Sequence, residues 1–210
     1  MSVQSTGNQY IELKTMDNTM KDVLDTWLKF GTVFLIYQLG VHYFIDKNNR
    51  EIFDARSMQL GLFVLIGFTL YFLLVKPFLS DLFAHPILKN ITNDVLFYGS
   101  GLVVSNLLIS TVDKKPIFEK EWATGSLYIL FGFIVYRILT FRFVPQNLDD
   151  NIKLATNDVV QFGTMLVIVR LFQTRSLEGL TDTNWLLSLL FALSGFVAYD
   201  VVIRRLILVD

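Results

Sequence analysis

Six apolar stretches, each long enough to cross a lipid bilayer as a helix, dominate the sequence. They lie at residues 27–45, 58–79, 94–112, 122–143, 157–173 and 185–206. A membrane-spanning helix needs about 20 mostly apolar residues, and its backbone must satisfy its own hydrogen bonds, which only helices and closed barrels can do. The pattern therefore predicts an all-α membrane protein with six transmembrane helices.

The composition agrees with that fold class and argues against several functions. Hydrophobic residues make up 53% of the chain, and a net charge of -1, from 18 basic and 19 acidic residues, leaves no basic surface for nucleic acid. Cysteine is absent, and the two histidines, His42 and His85, lack metal-ligand spacing. No hydrolase, metalloprotease or nucleotide-binding motif occurs. We therefore expect no catalytic, cofactor-binding or metal-binding residues, and no enzymatic activity.

Two short motifs recur three times in the same order, which divides the six helices into three copies of a two-helix hairpin. The first helices carry FGTVFLIYQL from Phe30, YGSGLVVSNL from Tyr98 and FGTMLVIVRL from Phe162, and the second helices carry GFTLY from Gly67, GFIVY from Gly132 and GFVAY from Gly195. The fold predicted is thus three tandem, parallel hairpin repeats.

These motifs set the predicted organisation of the chain. A polar amino-terminal segment, residues 1–26, precedes repeats at 27–79, 92–144 and 156–206. Because each repeat crosses twice, all three enter the membrane in the same sense, and both termini lie on one side. Basic residues are divided almost evenly between the two sides, so no orientation is predicted.

A polar triplet before an apolar run marks the start of two copies. Thr92-Asn93-Asp94 and Thr156-Asn157-Asp158 stand at equivalent positions. Threonine, asparagine and aspartate favour helix N-caps, because their side chains accept hydrogen bonds from the first backbone N–H groups. We therefore expect these residues to cap the first helices of the second and third copies.

A polar side chain follows the first-helix glycine by seven residues in every copy. The three residues are Gln38, Asn106 and Arg170. An arginine at the centre of a spanning helix costs about 2.5–3.5 kcal/mol, so such a layer is a candidate pore or substrate site. The alternative is that these groups hydrogen-bond between helices, with Arg170 reaching towards water.

Small residues and tyrosines recur at positions that indicate helix contacts. Glycine lets two backbones approach closely, and a tyrosine four residues later lies on the same face of the helix. We predict a packing role for glycines of the first helices, Gly31, Gly99 and Gly163, for glycines of the second helices, Gly67, Gly132 and Gly195, and for Tyr71, Tyr136 and Tyr199.

One ion pair between copies is also predicted. Arg137 and Asp200 each lie five residues after the second-helix glycine, and therefore at similar depth. We expect them to form a salt bridge between the second and third copies. The alternative is a local pair of Asp200 with Arg204, one turn further along the same helix.

The third copy resembles small multi-spanning membrane proteins of nucleocytoplasmic large DNA viruses. The resemblance is carried by FGTMLVIVRLF from Phe162, SLEGLTDTNW from Ser176 and GFVAY from Gly195. It implies a component of the internal membrane of a virus particle, or of the host-derived membranes in which particles assemble. It brings no activity and no catalytic residues.

Together these features predict a structural membrane protein without enzymatic activity. The expected partners are the lipid bilayer and capsid or other membrane proteins, and a homo-oligomer is possible. The alternative is a small channel or transporter that uses the polar layer of Gln38, Asn106 and Arg170, and a membrane-bound enzyme is the least supported reading.

The topology can be tested with single cysteines, since the chain contains none. Ser5 precedes the first span and Lys115 lies between the third and fourth, so three crossings separate them. Cysteines at these positions should react with a membrane-impermeant reagent from opposite sides of sealed vesicles. Equal labelling from one side would refute the predicted topology.

Overall fold

A computed structural model of the chain describes residues 5–46, 51–79, 85–145 and 147–207, without the side chains of residues 5–17 and 207. Residues 1–4 of the predicted amino-terminal segment thus lie outside the described residues. Six helices in the described ranges are long and apolar enough to cross a membrane. This confirms the predicted all-α class with six candidate spans.

The helices are continuous through short changes of helical type. The first, α1, is α-helical over Ser5–Gly40 and ends in a π-helical turn over Val41–Ile45. Its apolar part is Asn18–Ile45. The others are α2 (Ala55–Leu79), α3 (Pro86–Asp113), α4 (Lys120–Phe143), α5 (Asp150–Thr174) and α6 (Thr183–Leu206).

A π-helical turn interrupts the second helix of each predicted copy at the same place. It begins at the recurring tyrosine and covers Tyr71–Val75, Tyr136–Thr140 and Tyr199–Ile203. A π-turn accommodates an extra residue and shifts the faces that the following residues present. Tyr199 and Asp200, although adjacent in sequence, are both fully buried.

The first helices of the second and third copies begin earlier than predicted. Helix α3 starts at Pro86, and proline is favoured in the first turn of a helix. Helix α5 starts at Asp150, and the side chain of Asp149 caps it by accepting a hydrogen bond from the Asn151 N–H. The triplets Thr92-Asn93-Asp94 and Thr156-Asn157-Asp158 therefore lie inside helices, and their prediction as caps is wrong. The helices extend beyond the apolar segments, and Asp94 and Asp158, the last residue of each triplet, are buried in the bundle.

The six helices close into a ring in chain order. Each helix packs against the next, and α6 packs against α1. The most extensive contacts are those of α2 with α3, of α4 with α5 and of α6 with α1. Each of these joins the second helix of one predicted copy to the first helix of another, so the copies hold one another in place.

The glycines of the second helices lie where these helix pairs meet. A methyl group at Gly67 would come within 2.6 Å of the Ser100 carbonyl oxygen, and one at Gly132 within 2.7 Å of the Met165 Cα. At Gly195 it would come within 2.6 Å of the Val33 Cα. The structure therefore confirms the predicted packing role of these three glycines.

The glycines of the first helices do not share that role. At Gly31 and Gly99 a methyl group would meet nothing within 4 Å among the described residues, so their predicted packing role is wrong. A methyl group at Gly163 would make an ordinary contact, 3.7 Å from Leu193 Cδ1. Gly31 lines an apolar cavity of about 430 Å³, where α1 meets α2 less closely than it meets α6.

The outer surface of the ring is apolar. Side chains near the middle of the second helices, such as Leu62, Leu127 and Leu190, are 46%, 65% and 59% exposed. Monomeric soluble proteins rarely expose continuous apolar surfaces of this extent. The exposed face therefore suits contact with lipid.

The contact glycines allow a matched stability test. Gly132→Ala should destabilise the protein by about 1–3 kcal/mol, because the added methyl group overlaps the α5 backbone. Gly125→Ala, two turns earlier on α4, should be neutral or stabilising, since its methyl group would meet nothing within 4 Å and alanine favours the helix. Thermal unfolding in detergent measures both, and equal melting temperatures would show that Gly132 is not a contact point.

Candidate functional site in the bundle interior

The centre of the bundle is closed by a ring of six aromatic side chains. Each lies next to a motif glycine: one precedes the glycine in each first helix, and one follows it in each second helix. In order around the ring they are Phe30, Phe68, Tyr98, Phe133, Phe162 and Phe196, and ring centroids of neighbours lie 4.9, 6.2, 3.7, 5.5, 4.2 and 6.0 Å apart.

Contacts across this ring fill its middle. Phe162 lies 5.8 Å from Phe30 and 5.6 Å from Tyr98, in edge-to-face geometry. Phe68, Phe133 and Phe196 are at most 3% exposed. Edge-to-face aromatic pairs contribute about 0.5–1.5 kcal/mol each beyond the burial of their area. We refer to these six side chains as the aromatic layer.

The three recurring tyrosines link the predicted copies by equivalent hydrogen bonds. The Tyr71 hydroxyl donates to the Asn93 side-chain oxygen, and the Tyr136 hydroxyl donates to that of Asn157. The Tyr199 hydroxyl donates to Asp25 at 2.7 Å, which joins α6 to α1. Asp25, Asn93 and Asn157 all lie six residues before the first-helix glycine. The tyrosines are at most 1% exposed, in agreement with a packing role.

Charged side chains lie directly beneath the aromatic layer, on the side of the termini. Asp158 precedes Phe162 by four residues, and Asp200 follows Phe196 by four on the antiparallel helix. Both are therefore displaced by about 6 Å in the same direction. Asp94 and Arg137 hold the equivalent positions relative to Tyr98 and Phe133.

The first part of this charge network is a buried pair of α3 and α4. Arg137 Nε lies 2.5 Å from Asp94 Oδ2, and Arg137 Nη2 donates to Asp94 Oδ1 at 3.0 Å. The Gln161 side-chain amide donates to Asp94 Oδ2 at 3.5 Å. A two-point arginine–carboxylate contact of this kind is strong and geometrically specific.

The second part joins α1, α5 and α6. Lys29 Nζ donates to Asp158 at 2.5 Å and lies 3.4 Å from Asp200 Oδ1. Asp200 is 0% exposed, and neither of its oxygens accepts a hydrogen bond within the described part of the chain. One ammonium group thus faces two carboxyl groups.

The predicted salt bridge between Arg137 and Asp200 is therefore wrong. Arg137 reaches Asp94 within its own hairpin, whereas Asp200 faces Lys29 of the first copy. The local alternative is also wrong, because Arg204 lies 3.6 Å from Asp25. Arg137 and Asp200 lie at similar depth, but depth did not determine their partners. Because α6 packs against α1 in the closed ring, Asp200 faces Lys29 of α1.

The predicted polar layer of Gln38, Asn106 and Arg170 does not assemble. Asn106 donates to the Ile117 carbonyl, and Arg170 donates to the Gly179 carbonyl at 3.0 Å, both in the loop of their own hairpin. Gln38 lines a polar cavity of about 150 Å³ beside the first loop. No hydrogen bond or ion pair in the described ranges joins two of the three. Asn106 and Arg170 thus hold the loops of their own hairpins.

Sequence reasoning missed several residues of this site. Lys29 lies inside an apolar run and is a charge at membrane depth, which is itself a functional signal. Asp94 and Asp158 follow threonine and asparagine at the edge of an apolar run, a pattern that also fits helix caps. The signal for the aromatic layer is present in the motifs, where an aromatic residue lies directly beside every motif glycine.

No metal site emerges among the residues that the structure describes, where no group of three or more His, Asp or Glu side chains could hold a metal ion.

No protein family, curated protein or solved structure matches the chain. The six apolar helices define an integral, multi-pass membrane protein.

A pair of double-mutant cycles tests the charge pairing. Asp94→Asn and Arg137→Gln should each destabilise the protein by about 3–5 kcal/mol, because each leaves a buried partner without its counter-charge. Their coupling energy should be about 1–3 kcal/mol. The matched cycle of Arg137→Gln with Asp200→Asn should give a coupling near zero. Thermal unfolding in detergent measures both cycles. A coupling near zero for Asp94 with Arg137, together with a clear coupling of Arg137 with Asp200, would contradict the described pairing.

Proposed function

We propose that this protein is a non-enzymatic structural component of a membrane, which packs as a closed helical bundle. The observation that carries the proposal is the aromatic layer, in which six contacting rings fill the centre at mid-membrane. A bundle with such an interior offers no continuous path for solutes. Its helix contacts and buried ion pairs instead support a rigid shape.

The same arrangement leaves the loops as the polar surface available to other proteins. Two ion pairs hold the ends of the hairpin loops. Arg56 pairs with Asp113 between the first and second hairpins, and Arg170 lies 3.9 Å from Asp182 within the third. Short, braced loops suit contact with a capsid or with other membrane proteins, which we propose as partners.

The resemblance of the third copy to membrane proteins of large DNA viruses supports a more specific location. We propose the internal membrane of a virus particle, or the host-derived membrane in which particles assemble. Mass spectrometry of purified particles should find the protein at a copy number comparable with other membrane components. Its absence from them would remove this location and leave the scaffold role open.

The second candidate is a transporter, and the observation that favours it is the buried charge network. Intramembrane ionisable groups often mark ion or proton pathways. Such a transporter would use Lys29, Asp158 and Asp200, rather than the layer of Gln38, Asn106 and Arg170 expected from the sequence.

Reconstitution into liposomes distinguishes the two functions. A structural bundle should give no more ion, proton or solute flux than empty liposomes. Selective flux lost in Asp200→Asn and kept in Arg170→Leu would overturn the structural proposal in favour of a transporter built on the network. Flux lost in Arg170→Leu instead would restore the polar layer as its route.

A further inference from the structure

We propose that Asp200, together with Asp158 and Lys29, forms a binding site for one proton in the interior of the bundle. This inference goes beyond the structural role and does not depend on it. It rests on the charges of the network, on the burial of Asp200 and on the position of Lys29.

The charges beneath the aromatic layer do not balance. Among the residues that the structure describes, Asp94, Asp158 and Asp200 face two cations, Lys29 and Arg137, and Arg137 is engaged by Asp94 through two contacts. Lys29 therefore serves both remaining carboxyl groups. If both were ionised, one negative charge would stay uncompensated in a poorly hydrated interior, where such a charge is costly.

Asp200 is the carboxyl group whose negative charge would be uncompensated. It is 0% exposed, and no N–H or O–H of the described residues donates to either oxygen. Asp158, by contrast, accepts from Lys29 at 2.5 Å. The Lys29 ammonium lies 2.5 Å from Asp158 Oδ2 and 3.4 Å from Asp200 Oδ1, so the two carboxyl groups lie on the same cation and close to each other. A proton held between them removes the excess charge and supplies the donor that Asp200 lacks.

The other charged groups around Asp200 are already paired. On α1, Asp25 accepts from the Tyr199 hydroxyl and lies 3.6 Å from Arg204 of α6. Asp200 also faces Asp158 on α5 and Lys29, a second ionisable group of α1. None of these offers Asp200 a second cation, so the proton belongs to the Asp158–Asp200 pair.

A proton fits this position better than a metal ion does. The Lys29 ammonium already lies against both carboxyl groups, where a metal cation would have to bind. Hard cations also require about six oxygen ligands, and the site presents the oxygens of two carboxyl groups. The aromatic layer covers the site on the side of the loops within the hairpins.

The pH dependence of stability tests the site. At neutral pH the folded protein holds a proton that an aspartate in the unfolded chain, with a pKa of about 3.9, has already released. The melting temperature of the wild type should therefore fall as pH rises, until the folded protein has also released this proton. In Asp200→Asn, the amide stands in for the neutral carboxyl group. This variant should lose the pH-dependent fall and melt at or above the wild-type temperature at alkaline pH.

A matched control uses the neighbouring carboxylate. Asp94→Asn should melt below the wild type at neutral and alkaline pH, because it leaves Arg137 without its two-point contact. It should keep the part of the pH-dependent fall that comes from Asp200. If Asp200→Asn behaves like Asp94→Asn, then Asp200 is ionised and the proposal fails. It also fails if sodium chloride, compared with choline chloride at equal ionic strength, raises the melting temperature and abolishes its pH dependence, since a metal ion then occupies the site.

A measurement on the wild type covers the case in which the variants do not fold. Infrared spectra of protein labelled with ¹³C-aspartate should show the carbonyl stretch of a protonated aspartic acid at neutral pH, and its loss at alkaline pH. Absence of this band from the folded protein at neutral pH would overturn the proposal.

Discussion

The close approach of helix backbones at Gly67, Gly132 and Gly195 is the contact on which the rest of the structure depends. In lipid, apolar burial does not drive helices together, so association relies on tight packing and on interhelical hydrogen bonds. Each glycine brings a second helix against the next first helix and sets its neighbouring phenylalanine into the centre. The tyrosine one turn later then reaches the side chain that accepts its hydrogen bond. The aromatic layer and the charge network both lie between helices positioned in this way.

Much of the fold could be predicted from the sequence, because hydropathy and repeated motifs report directly on helices that face lipid. The six spans and the contact role of the second-helix glycines follow from those signals. The partner of Asp200 could not be predicted. It depends on which helix lies beside α6 in the ring, and motif spacing does not reveal that this helix is α1.

The polar residues show where the reasoning from sequence was limited. Asn93 and Asp94 lie at the edge of an apolar run, where an exposed cap and a buried partner look the same. The start of α3 at Pro86 decides between these two roles, because it places Asn93 and Asp94 about two turns inside the helix. Gln38, Asn106 and Arg170 share a sequence position, and each lies beside the loop of its own hairpin. Equivalent positions therefore indicate similar local surroundings, but they do not indicate that the side chains of the three copies meet.

Closure of the ring by α6 against α1 has a consequence for how the chain can be divided. Five of the six neighbouring helix pairs are joined directly by a loop, and the sixth is held by packing, by the Tyr199–Asp25 hydrogen bond and by Lys29. The order of helices around the ring is thus independent of where the chain begins. A circular permutant that opens the link between α2 and α3, with a linker from the end of α6 to the start of α1, would keep every interior contact. Removal of either terminal helix would instead leave unpaired charges facing lipid.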